Sequence, residues 1–326
     1  MMKKNLLVLA AAVMAVSMLA GCGTTGKSGL PKNIEVQVPA KAGGGTDVMA
    51  RALTTQMSKD SGSTFTIVNN TDGAGLVASE KVRKGKADGS EIMQWHTTML
   101  IKTASGTYDK KAADDFRIIA VSQGTDKAQY CFLVGPNAGV KTLDEFIAKA
   151  KSSELKIGVE TGGTSHILAG LFAKAAGVKV KYVEAGSDTE KLTALVGGTI
   201  DAAFVNCNQA KQYVESNKAI GLAVMGNGEK DARSTVLPDI KNFQEQNIDC
   251  SFNFINIFCG PKEMTEDTAK KIYDLYTKAN DNADVQATLQ KGGFAMKFLP
   301  YDQGQKTVAE QQKSMDSVVL ELGLKK

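Results

Sequence analysis

The sequence predicts an α/β chain of two lobes, each a mostly parallel sheet with helices on both faces. Three observations predict it. Short β-branched or apolar runs alternate with amphipathic helical patterns along the chain. Two segments about one lobe apart share one construction: a strand, a glycine-rich turn with hydroxyl residues, and a helix. With its leader removed, the chain keeps about 300 residues, more than one hydrophobic core organises.

The leader comes first. Met1-Met2-Lys3-Lys4 is cationic, residues 6–19 are apolar except for Ser17, and Leu19-Ala20-Gly21-Cys22 follows. Such a charged start, apolar run and small-residue site describe a secretory signal peptide over residues 1–21. A spanning helix needs about 20 apolar residues, and this run ends sooner, at Gly21-Cys22-Gly23. The run Leu-Ala-Gly-Cys resembles the lipobox of bacterial lipoproteins. That resemblance implies lipidation of Cys22 and anchoring to the outer face of the cytoplasmic membrane, or to a periplasm-facing membrane. Residues 22–32 then read as a lipidated cysteine and a flexible tether of Gly, Thr, Ser and Lys.

The formal charge is +4, and Lys3 and Lys4 leave with the leader. No basic block remains, so nucleic acid is not an expected partner. Cys131, Cys207, Cys250 and Cys259 show no CxxC and no Cys/His spacing suited to zinc, so no metal is expected. The compartment allows disulfides. Cys250 and Cys259 flank an apolar stretch, however, and buried thiols are the expectation.

Strands are expected over residues 34–38, 65–68, 91–95, 116–121 and 130–134, with helices over 48–59, 78–84 and 143–150. In the second half, strands are expected over 155–159, 179–183, 202–205, 220–224 and 295–299. The helices there are 167–176, 190–196, 265–280 and 301–322. Thr142 and Glu145 form a capping box before the third helix. Open parallel sheets bind ligands outside the carboxyl ends of their strands.

Two of those ends carry the repeated construction. One strand runs into Lys41-Ala42-Gly43-Gly44-Gly45-Thr46-Asp47, the other into Thr161-Gly162-Gly163-Thr164-Ser165-His166. A helix leaves the N–H groups of its first turn without intrahelical partners, and its macrodipole puts about half a positive charge there. Glycine lets a ligand approach that backbone closely. Two such turns suit the opposite ends of one small organic anion. Other strand ends offer Gly73 and Ala74, within Asn70-Thr71-Asp72-Gly73-Ala74-Gly75, and Trp95 and Thr97, which flank His96. His96 itself reads as a satisfied polar residue, whereas His166 either contacts the anion or stiffens its loop.

The first loop lacks the Gly-Lys-Ser/Thr of a P-loop and the G-x-G-x-x-G of a dinucleotide fold. With no HExxH or GxSxG, no Cys/His pairing of known signature and only two histidines, neither an enzyme nor a cofactor is expected.

Val38-Pro39-Ala40-Lys41-Ala42-Gly43-Gly44-Gly45-Thr46-Asp47, with Ala50-Arg51, resembles the first motif of substrate-binding proteins of tripartite tricarboxylate transporters, the Bug-type receptors. Asn70 to Gly75, Ala87-Asp88-Gly89, Tyr108-Asp109 and Asp115-Phe116 match further family segments in order. So do Gly197-Gly198-Thr199-Ile200-Asp201-Ala202-Ala203-Phe204 and Leu237-Pro238-Asp239-Ile240. The resemblance implies a class II-type periplasmic binding fold that closes on a carboxylate, gripped largely by backbone N–H groups of the first loop. It also implies contacts from the loop ending at His166 and from Asp201 and Asn206. Partners would be membrane transporter subunits encoded separately, with the receptor a monomer. A signalling receptor and a lipoprotein enzyme acting on carboxylate or phosphate esters are the alternatives.

The expected lobes are residues 33–122 with 254–326, and residues 123–253. Lys41 stands where the family has an uncharged residue, and Glu184 where an aromatic is frequent. The loop 160–165 is one residue short, and Lys241-Asn242 replaces Pro-Thr. The first lobe therefore keeps the family's anion grip, and the second departs from it.

Overall fold

The computed structural model describes residues 26, 28–124, 127–291 and 294–325. The expected signal peptide and Cys22 lie outside the described residues.

The β-branched runs become strands. Asn33–Val38 (β1), Thr64–Asn69 (β2), Glu91–His96 (β3), Phe116–Gly124 (β4), Ile255–Pro261 (β10) and Met296–Phe298 (β11) form one sheet. Ala128–Val134 (β5), Leu155–Val159 (β6), Val180–Glu184 (β7), Ala202–Asn206 (β8) and Ile220–Gly226 (β9) form the other. The strand orders are β11-β4-β10-β3-β1-β2 and β7-β6-β8-β5-β9.

The expectation of mostly parallel sheets is corrected: both sheets are mixed. β1 runs parallel to β2 and β3, and β6 parallel to β7 and β8. β10 is antiparallel to β3 and β4, β11 to β4, and β5 to β8 and β9. The chain leaves the first sheet through β4 and enters the second directly through β5. Without a helical crossover to turn it round, the arriving strand runs against its neighbours. β10 brings the chain back and is reversed for the same reason.

The helices are Gly45–Ser61 (α1), Leu76–Arg83 (α2), Thr98–Ala104 (α3), Ala112–Asp115 (α4), Leu143–Ser152 (α5) and Thr164–Ala176 (α6). Asp188–Val196 (α7), Cys207–Glu215 (α8), Glu266–Asn280 (α9), Ala283–Lys291 (α10) and Tyr301–Glu321 (α11) complete them. β10, α3, α4, α8 and α10 go beyond the sequence expectation. β10 is buried at every position and α3 at nearly every one, so neither carries the polar alternation that marks an element in sequence. No helix among the described residues is long and apolar enough to cross a membrane.

Apolar packing continues from one sheet to the other. A single cluster joins Trp95 and Leu100 to Phe132, Phe146, Phe172 and Phe204, and includes Val308 and Met315 of α11. The sequence places α11 against the first lobe alone. It also reaches α6: Lys174 pairs with Glu321 at 2.7 Å, and a Cβ on Gly170 would stand 2.7 Å from Leu322. Cys131, Cys207, Cys250 and Cys259 are buried free thiols.

Phe132 sits at the centre of the aromatic packing, with ring centroids 5.1 Å from Phe146, 4.7 Å from Phe172 and 4.8 Å from Phe204. Replacing Phe132 by Ala is expected to cost about 3–5 kcal/mol, read from the shift in the urea unfolding midpoint.

Candidate functional site

A cavity of about 550 Å³ opens between the two sheets, within the usual range for small-molecule sites. It lies where the topology sends the carboxyl ends of the parallel strands: Pro39 after β1, Thr71 after β2, His96 ending β3, Glu160 after β6, Gly186 after β7 and Asn206 ending β8.

On the first-sheet side, Lys41, Ala42, Gly43, Gly44 and Gly45 line the cavity. Gly44 caps α1 and offers no side chain to it, so the first-turn N–H groups of Gly45 and Thr46, which line the cavity, are left for a ligand. The first intrahelical bond is Val48 N–H to Gly44 O, at 3.0 Å. Gly43 and Gly44 are not the donors expected of them: the Gly43 N–H donates to Asp47 Oδ2 at 2.8 Å and the Gly44 N–H to Lys41 O at 3.0 Å.

Asp47 does not line the cavity, which corrects its place in the expected ligand set. Its carboxylate is the knot behind the loop, accepting from Gly43, from Asn69 Nδ2 at 2.9 Å and from Arg51 Nε at 3.0 Å. Burial pushes its pKa up, but Arg51, the Gly43 N–H and Asn69 outweigh burial, and the carboxyl titrates below its ordinary range.

Ala74 lines the cavity and Gly73 does not. Gly73, Ala74 and Gly75 all have left-handed φ, of 57°, 56° and 90°. Gly75 has a further reason to lack a Cβ, which would stand 2.7 Å from Trp95 Cζ2. Trp95 lines the cavity beside His96. Burial holds His96 at a pKa of about 4, hence neutral near pH 7. Its Nδ1 accepts from the Thr98 N–H at 3.3 Å, which leaves Nε2 as the protonated nitrogen. Thr97 is corrected to a structural role: it is fully buried and exchanges hydrogen bonds with Ile255, joining β3 to β10.

On the second-sheet side, α6 repeats the device, with Gly163 as an N-cap that lends no side chain. Thr164 and Ser165 line the cavity; Thr161, Gly163 and His166 do not. The Thr161 N–H donates to Glu184 at 3.0 Å. His166 Nδ1 accepts from the Gly162 N–H at 3.2 Å, and its ring packs edge-on against Tyr182. It stiffens the loop. Asn206 lines the cavity, but Asp201 lies before the opposite end of β8, where it accepts from the Lys156 N–H at 2.7 Å.

Several lining residues escaped the sequence reading, among them Glu160, Asp188, Lys191, Tyr130, Phe254 and Phe294. Glu160 had a usable signal, since it directly follows a strand and precedes the glycine turn. Lys191 is almost fully buried and held by Asp188 at 2.7 Å and by Phe204 O at 3.2 Å. Two contacts join the two sides of the cavity: Lys41 Nζ to Glu190 Oε1 at 3.0 Å at the exposed rim, and Thr98 Oγ1 to Thr164 Oγ1 at 3.1 Å in the interior. The Lys41 ammonium is therefore taken up by Glu190.

Comparison with known proteins agrees with this architecture. A relative from Cupriavidus necator, the UPF0065 protein in the gbd 5' region, is 23% identical over 298 residues, covering 90% of this chain and 88% of its own. MatC (Rpa3494) from Rhodopseudomonas palustris, solved with bound malate, superposes with a TM-score of 0.74 at 21% identity, covering 88% of this chain and 98% of its own. R. palustris Rpa4515, solved with adipate, gives a TM-score of 0.77 at 20% identity over 89% and 97% of the two chains. These likenesses place the fold among periplasmic binding proteins. Residues 49–324 match the tripartite tricarboxylate transporter family receptor, and the chain belongs to that family.

Proposed function

We propose that this chain captures a small organic carboxylate in the cavity between its sheets and presents it to membrane transporter subunits encoded separately. The observation that carries this reading is the pair of glycine-capped helix starts, α1 and α6, facing one cavity from opposite sheets. Each presents unsatisfied N–H groups and the positive end of a helix dipole. A carboxylate supplies the missing acceptors without a counter-cation. The solved relatives with malate and adipate support the ligand class.

On this proposal the lobes are residues 33–122 with 254–326, and residues 123–253, and they close by hinge bending about the crossing strands. The receptor acts as a monomer, held outside the cytoplasmic membrane by a lipid on Cys22. It is a binding protein and catalyses no reaction.

Screening the chain from residue 23 by thermal shift tests the ligand class. Ligand at 100 times its dissociation constant adds about 2.7 kcal/mol to the folded state, several degrees for a chain of this size. Stabilisation by carboxylates and not by neutral sugars is expected; the reverse selectivity contradicts the proposal.

Gly45→Val puts bulk at the helix start, where even a Cβ would lie 2.8 Å from Phe294 Cζ. Calorimetric titration should then show carboxylate affinity lowered by about a hundredfold or more, with far-UV circular dichroism unchanged.

Glu190→Ala removes the Lys41 partner at the mouth. Both groups are half-exposed or more, so the pair is worth at most about 1 kcal/mol. Stopped-flow release of ligand should accelerate by no more than about fivefold, and the difference should shrink at high salt.

A further inference from the structure

The second-sheet wall of the cavity contains one carboxylate, Glu160, that accepts no hydrogen bond among the described residues. The Glu160 backbone is fixed, its N–H donating to Ser165 Oγ at 2.8 Å and its carbonyl accepting from Gly163 at 2.9 Å. Its side chain folds over Gly163, where a Cβ would stand 2.5 Å from Oε2. The residue lines the cavity. Among the described residues, no hydrogen bond or ion pair reaches either Glu160 oxygen.

The other charges of this wall are engaged. Asp188 takes Lys191 at 2.7 Å and the Asn206 N–H at 2.9 Å, Lys191 also takes Phe204 O, and Lys41 takes Glu190. Around Glu160, Lys102 from α3 and Lys191 from α7 attract its charge, while Glu184 at the end of β7 and Asp188 at the start of α7 repel it. Lys102 is buried and is not free. Burial, helped by Glu184 and Asp188, outweighs the two lysines and raises the Glu160 pKa.

A half-buried carboxylate given no donor by the protein is best answered by a ligand that supplies one. A ligand that brings a second carboxylate to this wall adds like charge beside it. One that brings an ammonium group supplies the missing donors and the opposite charge. Resting on the carboxylate-receptor proposal, we infer that Glu160 determines specificity and that the ligand is an amino-carboxylate, its carboxylate on the α1 turn and its ammonium facing Glu160.

The sign of the pH dependence follows by linkage. An ammonium favours ionised Glu160, so affinity rises as pH climbs through the raised Glu160 value in the free protein. A dicarboxylate accepting from protonated Glu160 would show the opposite slope.

The test titrates the wild-type chain and Glu160→Gln with acids that differ only at the far end: pentanoate, 5-aminopentanoate and adipate, with the corresponding shorter-spacer sets. In the best-fitting set, the ammonium acid should bind at least about tenfold tighter than the diacid. Glu160→Gln should erase that preference, and wild-type affinity for the ammonium acid should rise with pH as the raised Glu160 carboxyl ionises. A diacid preference in the wild type, or an ammonium preference that survives in Glu160→Gln, overturns this inference and leaves the carboxylate receptor standing. Failure of every acid to bind overturns both. The pH slope in the wild type decides the case if the variant does not fold.

Discussion

A helix that begins on glycine has given up the side chain that would satisfy its first turn. Four helix starts among the described residues are closed by side chains: Thr142 with Glu145 and Ser187 with Glu190 form complete capping boxes, and Asn206 and Thr265 cap α8 and α9. At α1 and α6 the cap residues are Gly44 and Gly163, and no side chain replaces them. Unpaired N–H groups turned toward a concave space are expensive unless something fills it. In the proposed receptor the filler is the ligand, and the fold around the cavity serves to hold those two open turns in place.

The holding is visible in the knot behind α1. Asp47 reaches back to Gly43, sideways to Asn69 on β2, and along its own helix to Arg51, so one carboxylate fixes loop, sheet and helix together. On the other side, Ser165, His166 and Glu184 receive the backbone N–H groups of Glu160, Gly162 and Thr161. Both turns are held from behind, which leaves their cavity faces to the ligand. The apolar cluster and α11 run from one sheet to the other. In the proposed receptor, closure is a bend about the crossing strands rather than a separation of two independent bodies.

Much of this was legible in the residues. Period and punctuation locate the strands β1 to β9 and the glycine turns, because half-buried elements alternate polar with apolar positions. β10 and α3 have no solvent face and so no period to read. Among the site residues, sequence located the loops but not which way each group turns. Thr97 and His166 lie beside lining residues, and the Thr97 hydroxyl and His166 Nδ1 bond inside the protein. Asp201 and Asn206 bracket one strand, and at about 3.3 Å per residue they are roughly 16 Å apart. They were never able to share a site. Tyr130, Phe254 and Phe294 come from crossing segments whose meeting is a property of the topology alone.

Everything proposed for the cavity rests on a ligand carboxylate filling the open turn of α1. Amide NMR of the ¹⁵N-labelled chain, titrated with the carboxylate that stabilises it most, measures this directly. The Gly45 and Thr46 amide protons should move downfield, as N–H groups do on meeting an anionic acceptor, and become protected from exchange. Saturable binding that leaves those two amides unmoved would contradict the carboxylate grip.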